Sequence, residues 1–330
     1  HPRRDWLPQR HPLGLHSRKL RQESQDMAEL PEMGGSRNPD KNEQSKRVWY
    51  SSYGSNLCLQ RLMCYIAGGS MPTLRYTCAG SEDSSPPTKH CVAAIANGLT
   101  FVGQFTAWGD GGVAFVNPHG SGVVQSAELP AELLAAHHAK SATTDGAAAA
   151  STVASHHKAQ HSDEVQQLIA RVADSNSQGG GSSKGSDPPL TFLRAYSVTL
   201  QQFQDIVSQE NANVQVQVPL DTVQSLRRQG PGAHAVLLEG RYGAVVYLGE
   251  VQGDPLVTFT APPSMFTAWI EAKQENPPSE DYVGVIAAGL IESGWAPEAA
   301  HAYLASKAAV AKQVAATDRE GAQSQWKWGE

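Results

Sequence analysis

The chain has too few clustered cations to grip a polyanion and no segment suited to span a bilayer. Its 26 lysines and arginines are outnumbered by 32 aspartates and glutamates, a formal net charge of −6. That balance argues against a nucleic-acid surface, which needs clustered Lys and Arg to hold phosphates. No apolar run approaches the roughly 20 residues a membrane-crossing helix requires. Cysteine is scarce. Cys58, Cys64, Cys78 and Cys91 are the four, and their spacing fits no zinc pattern. They read as reduced thiols of an intracellular, cytoplasmic protein. No Gly-x-Gly-x-x-Gly or Walker pattern follows the first strand, which weighs against a nucleotide site. No core Asp/His constellation for a catalytic metal is visible, so neither cofactor nor metal is expected.

What is present is a sequence of 330 residues, 40% of them hydrophobic, enough for one large domain or two ordinary ones. Its organising stretch is Val48-Trp49-Tyr50-Ser51-Ser52-Tyr53-Gly54-Ser55-Asn56-Leu57. Val48 to Tyr53 reads as a buried strand. Gly54 permits close backbone approaches, and Asn56 is a good N-cap. Leu59, Leu62, Met63 and Ile66 then recur at helical spacing, and Gly68-Gly69 can end that helix. Free N–H groups from Gly54 to Leu57 at a helix N-terminus favour an anion, carboxylate or phosphate. An ordinary strand–turn–helix corner accounts for the same pattern. Ser55 is excluded as a nucleophile, because no Gly-x-Ser-x-Gly elbow surrounds it and no motif places a histidine to activate it.

Residues 1–46 are rich in Arg, Gln, Ser, Pro and Gly without a sustained apolar period, and read as a disordered extension. Arg3, Arg4, Arg10, Arg18, Lys19 and Arg21 face a single acid there, Asp5. That bias suits either a transit peptide for organellar import or upstream sequence ahead of a start at Met27. The folded domain is expected over 47–315, with a polar tail at 316–330. Cys91 to Ala96 and Leu99 to Phe105 flank Asn97-Gly98, a type I′ hairpin signal. Val113 to Val116 is a short buried strand. From about 120 to 189 the composition turns to Ala, Ser, Gly and His, including His137-His138 and His156-His157, and reads as an expanded low-complexity surface loop. The histidine pairs read as solvated polar residues rather than metal ligands.

Order resumes at Leu190. Phe192 to Val198 alternates as a strand. Thr199 with Gln202 forms a capping box for a helix whose apolar stripe is Leu200, Phe203, Ile206 and Val207. Glu210 falls on that inward face, an unusual place for a carboxylate. Desolvation there raises its pKa towards neutrality, where a general base works best. A buried acid satisfied by an ion pair is the bland alternative. Strands at Ala233–Leu238, Tyr242–Leu248 and Leu256–Thr260 follow. A helix over 279–293 is capped by Ser279, and an alanine-rich helix starts near Pro297. About seven strands that do not alternate with helices predict an α+β fold, with a mixed, mostly antiparallel sheet closing into a small barrel.

Tyr53-Gly54-Ser55-Asn56-Leu57 after an aromatic strand resembles the signature loop of the gamma-glutamylcyclotransferase-like family. Cys64-Tyr65-Ile66-Ala67-Gly68-Gly69 resembles its long, mostly uncharacterised branch. The resemblance extends over roughly 47–118 and 190–310. It implies that the loop holds a substrate carboxylate and that Glu210 is the base, with Asn211 where many members have Gly. Tyr242 begins a strand resembling the family's second site-lining strand, where it contacts substrate or serves as a core tyrosine. The implied reaction cyclises a γ-glutamyl amine or peptide, as in glutathione metabolism, to 5-oxoproline with release of the amine. The resemblance leaves two other readings open: a non-catalytic binding protein on the same fold, and an amide hydrolase, since some long-branch relatives carry a histone-deacetylase label.

Overall fold

The computed structural model describes residues 46–141 apart from 73, 104 and 121, together with 161–177 and 189–308. The N-terminal extension, the His156-His157 pair and the polar tail lie outside the described residues, as do the side chains of His137 and His138. Strands are β1 (Arg47–Ser52), β2 (His90–Ile95), β3 (Leu99–Val102), β4 (Phe105–Thr106), β5 (Gly109–Asp110), β6 (Val113–Val116), β7 (Val123–Glu128), β8 (Thr191–Thr199), β9 (His234–Val236), β10 (Ala244–Val251) and β11 (Asp254–Thr260). Helices are α1 (Leu59–Ala67), α2 (Ala131–Ser141), α3 (Asp163–Ser177), α4 (Leu200–Glu210), α5 (Leu220–Gln229), α6 (Pro263–Glu271), α7 (Glu280–Glu292) and a last one, α8, over 297–308.

Seven strands make the main sheet in the order β7-β2-β8-β1-β11-β10-β9. Its centre is set by burial. β8 is buried along all nine residues, and β1 is buried from Val48 to Ser52, as strands covered on both faces must be. β1 pairs antiparallel with β8 and parallel with β11, and the other ladders are antiparallel. Because β1 and β11 run the same way, their carboxyl ends emerge together, where open mixed sheets present ligand sites.

The sheet is open, not the expected barrel. Closure would require β7 to take the free edge of β10. That edge is already occupied: β9 pairs along it, and Gly232 and Ala233 satisfy the Tyr247 carbonyl and N–H at 2.8 Å each. A bulge between Tyr247 and Gly249 turns β10 further out of register. β7 comes no closer than a side contact near Gly249 and a hydrogen bond from Gln252 to Glu128.

Two local expectations also give way to tertiary pairing. Asn97-Gly98 does not turn a hairpin: β2 pairs with β7 and β8, while β3 pairs with β6 in a separate sheet. The Asn97 side chain instead brackets Asn117, donating to its carbonyl at 2.8 Å and accepting from its N–H at 3.2 Å. Within 120–189, the stretch read as a surface loop, β7 extends the main sheet. α3 covers the sheet with Val165, Leu168 and Val172, all fully buried. Helical spacing of these three apolar residues in a polar background is why the segment packs. Among the described residues no helix is long and apolar enough to cross a membrane.

Candidate active site

The organising loop sits at the carboxyl end of β1. It folds as a single 3-10 turn, Ser55–Leu57, in which Leu57 N–H donates to the Gly54 carbonyl at 3.0 Å and Cys58 N–H to that of Ser55 at 3.1 Å. Of the four donors expected from Gly54 to Leu57, Leu57 is thus spent on Gly54, Gly54 donates to Ser52 Oγ at 3.3 Å, and Ser55 hydrogen-bonds the Tyr282 hydroxyl, which leaves the Asn56 N–H. Gly54 is required by contact, since a Cβ there would meet the Tyr282 hydroxyl at 2.8 Å. Gly289 of α7 is required for the same reason: a Cβ would lie 2.3 Å from the Leu57–Cys58 backbone.

Asn56 does not cap a helix; α1 starts after Cys58 with no side-chain cap. Its amide nitrogen instead donates to the Tyr50 hydroxyl at 2.9 Å and to Glu210 Oε1 at 3.0 Å. The loop and the acid, 154 residues apart, are thus in direct contact. The acid is delivered by α4, whose start is fixed by a complete capping box. Thr199 accepts from Gln202 N–H, and the Gln202 side chain accepts from Thr199 N–H. About 16 Å of helix at 1.5 Å per residue then carries Glu210 to the loop. Asn211 ends the helix and uses its amide as a backbone pair, donating to the Tyr242 carbonyl and accepting from Tyr242 N–H, both at 3.1 Å. Tyr242 therefore precedes β10 in a turn rather than beginning the strand.

These elements surround a cavity of about 700 Å³ lined by Tyr53, Gly54, Ser55, Asn56, Glu210 and Tyr242, and by further aromatic residues. Leu57 is buried behind the loop. Its carbonyl accepts from Arg194 Nη1 at 3.0 Å and from the Tyr196 hydroxyl at 2.9 Å. The Tyr53 hydroxyl is occupied by the Phe259 carbonyl at 2.8 Å, so Tyr53 offers the cavity its ring. Tyr242 stacks on Phe115, with ring centroids 4.8 Å apart, and donates to the Ala114 carbonyl at 3.3 Å.

Burial raises the Glu210 pKa above the ordinary carboxylate value. Arg61, hydrogen bonding from Tyr65 and Asn56, and Arg241 partly offset it. Among the described residues Glu210 has no cation within ion-pair distance. A partly desolvated carboxylate held by an amide donor, not locked to a cation, takes up a proton more readily than an exposed one.

Behind the loop lies a buried ionic clasp. Arg194 on β8, 1% exposed, meets Glu292 of α7 at 2.6 Å. Glu292 also accepts the Leu59 N–H at 3.0 Å, so the clasp grips the loop through the Leu57 carbonyl and the Leu59 amide. Arg194 Nη2 donates to His90 Nδ1 at 3.2 Å, and His90 Nε2 in turn donates to the Pro130 carbonyl at 2.9 Å.

Sequence reasoning missed Tyr50, Arg61, Tyr65, Tyr76 and Tyr282. Arg61 carried the same signal as Glu210, a charge on the inward face of an amphipathic helix between Leu57 and Tyr65, and that test would have found it. Tyr76 lies in a polar connection without periodicity and left no signal.

Among the described residues no group of three or more His, Cys, Asp or Glu side chains could hold a metal ion. Neither a family model nor a solved structure matches the chain. The chain is similar to Histone deacetylase 5 of Arabidopsis thaliana, 28% identical over 264 residues. That alignment covers 78% of this chain and 30% of the relative, so the chain spans under a third of the relative's length.

Proposed function

We propose that the protein is a gamma-glutamylcyclotransferase-like enzyme that converts a γ-glutamyl amine or peptide to 5-oxoproline, with Glu210 as general base. The observation that carries this reading is the 3.0 Å contact between Asn56 and Glu210, which puts the signature loop and the acid in one cavity.

The chemistry asks little of the protein. The substrate's α-carboxylate sits at the Asn56 N–H and takes over that of Ser55 from the Tyr282 hydroxyl. Its α-ammonium faces Glu210, which removes a proton. The freed amine attacks the γ-carbonyl, a five-membered ring closes, and the amine leaves with a proton returned to it. Intramolecular attack in a held geometry supplies effective molarities of roughly 10⁵–10⁸ M, so no activated nucleophile is needed. Backbone donors aimed at the developing oxyanion add stabilisation. The cavity volume fits a small peptide-sized ligand.

The test is incubation with a panel of γ-glutamyl dipeptides and detection of 5-oxoproline, repeated with Glu210→Gln. Turnover that survives the substitution, or no turnover on any member by the folded wild type, removes the reading. In the second case the cavity is that of a binding protein. The name of the Arabidopsis relative favours amide hydrolysis as a second reading. Release of acetate from an acetyl-lysine peptide, with stoichiometric zinc in the purified protein, would establish it.

A further inference from the structure

A base that takes a proton must also pass it on, and one wall of the cavity is built for that. Arg61 on α1 is 1% exposed and has no carboxylate within ion-pair distance among the described residues. It spends its guanidinium on neutral groups. Nη2 donates to the Tyr65 hydroxyl and, at 2.7 Å, to the Tyr76 hydroxyl; Nη1 donates to Cys78 Sγ at 3.2 Å. Its plane also lies over the Tyr65 ring, 3.8 Å from the centroid. Glu210 acts on it through space but lies beyond ion-pair distance, and a buried cation without a direct partner costs several kcal/mol, so its retention asks for a role. The two phenol oxygens are 3.1 Å apart, and either can be the donor. Tyr65 is fully buried beside Glu210, while Tyr76 is 39% exposed and lines the cavity.

We infer that Tyr65 and Tyr76, clamped by Arg61, form a proton path between Glu210 and solvent. The inference rests on the reading of Glu210 as the base. The α-ammonium N–H bond breaks and its proton joins a Glu210 oxygen. That proton passes to the Tyr65 oxygen as the Tyr65 proton passes to Tyr76 and the Tyr76 proton to water or a buffer base. Each phenol gains one proton and loses one, no electrons are exchanged, and the path run backwards protonates the departing amine. Burial raises both phenols above their ordinary pKa, with the Glu210 charge adding to it and Arg61 opposing. Neither phenol is therefore a resting phenolate, and transfer along the pair is concerted. Arg61 and the two tyrosines are positioning and relay groups, not catalytic residues.

The test uses the full chain and three variants: Tyr76→Phe, Tyr65→Phe and Arg61→Lys. Turnover of a γ-glutamyl dipeptide is measured in dilute buffer and with rising imidazole. Tyr76→Phe is expected to lower kcat by about tenfold or more with KM unchanged, and imidazole restores it while leaving wild type unmoved. Tyr65→Phe removes a donor to the ionised carboxylate, so the Glu210 titration, followed by infrared difference spectroscopy, moves to higher pH. Arg61→Lys keeps the charge but loses the fork that holds both phenols, and falls between wild type and Tyr76→Phe. A Tyr76→Phe enzyme within twofold of wild type in dilute buffer overturns the path, as does a loss that imidazole does not restore. Should Tyr65→Phe fail to fold, Tyr76→Phe decides alone. Absent 5-oxoproline from the wild type removes the Glu210 reading itself, a separate and recognisable outcome.

Discussion

Replacing Glu292 with alanine tests what holds the loop. Glu292 is the only carboxylate paired with Arg194 among the described residues, and Arg194 is 1% exposed. After truncation the guanidinium keeps the Leu57 carbonyl at 3.0 Å and His90 at 3.2 Å, neither of which carries a counter-charge. Leu59 N–H, in a residue 1% exposed, loses its acceptor. Breaking a buried pair costs about 3–5 kcal/mol, most of it the stranded charge. The Glu292 side chain is 22% exposed, so water reaches the gap and the lower part of that range applies. With an m-value of about 3 kcal/mol/M, the urea midpoint should fall by roughly 1 M. The melting temperature should fall by about 6–12 °C. The internal control is Glu250→Ala. Its pair with Arg227 is exposed on both sides, 44% and 40%, and the change should cost under about 1 kcal/mol. A Glu292→Ala loss no larger than the Glu250→Ala loss would falsify the clasp. A second arm separates stability from geometry. Arg194→Met with Glu292→Leu should recover much of the lost stability, as apolar replacements of buried pairs do. It should not recover full activity, because the Leu57 carbonyl then keeps only the Tyr196 hydroxyl and the Leu59 amide has no acceptor.

Glu210→Gln should lower kcat by about 10²–10⁴-fold with the circular dichroism spectrum unchanged. Its stability effect has a definite sign. The folded-state pKa is raised by burial, so the acid contributes stability at low pH that is lost as pH rises through its folded pKa. Glu210→Gln should therefore be more stable than wild type at pH 8 and equal to it at pH 4, and the opposite order would show the carboxylate to be stabilised. His90 titrates the other way: burial, with the adjacent Arg194 guanidinium, pushes it down to about 3 from 6.5. Its contribution is complete above pH 6.5 and is lost towards pH 3 at up to about 1.4 kcal/mol per pH unit. Urea midpoints at pH 7, 5 and 4 should fall less steeply in His90→Gln. Gly54→Ala should abolish turnover by pushing its Cβ onto the Tyr282 hydroxyl, and Tyr282→Phe in the same chain should restore part of it, read as 5-oxoproline formed.

Much of the site's local structure was written in short-range sequence chemistry. The buried run Val48–Ser52, the glycine after it, the Thr199–Gln202 capping box and the inward phase of Glu210 each depend on neighbours within two helical turns. Spacing and turn chemistry carry that information directly. Partnership is not local. Asn97-Gly98 has a hairpin's turn residues, yet β2 and β3 join different sheets, and the asparagine amide pairs with Asn117 instead. The sheet stays open because β9 holds the β10 edge. Asn56 has the composition of a helix cap, but only the folded chain brings Glu210 within 3.0 Å and makes it the acid's donor. The Tyr65–Tyr76 pair likewise exists only because a polar connection folds back over α1 onto one buried guanidinium. Propensity states what a segment can be; which distant groups it meets is settled by burying apolar surface once for the whole domain, and polar side chains then take the partners that packing leaves within reach.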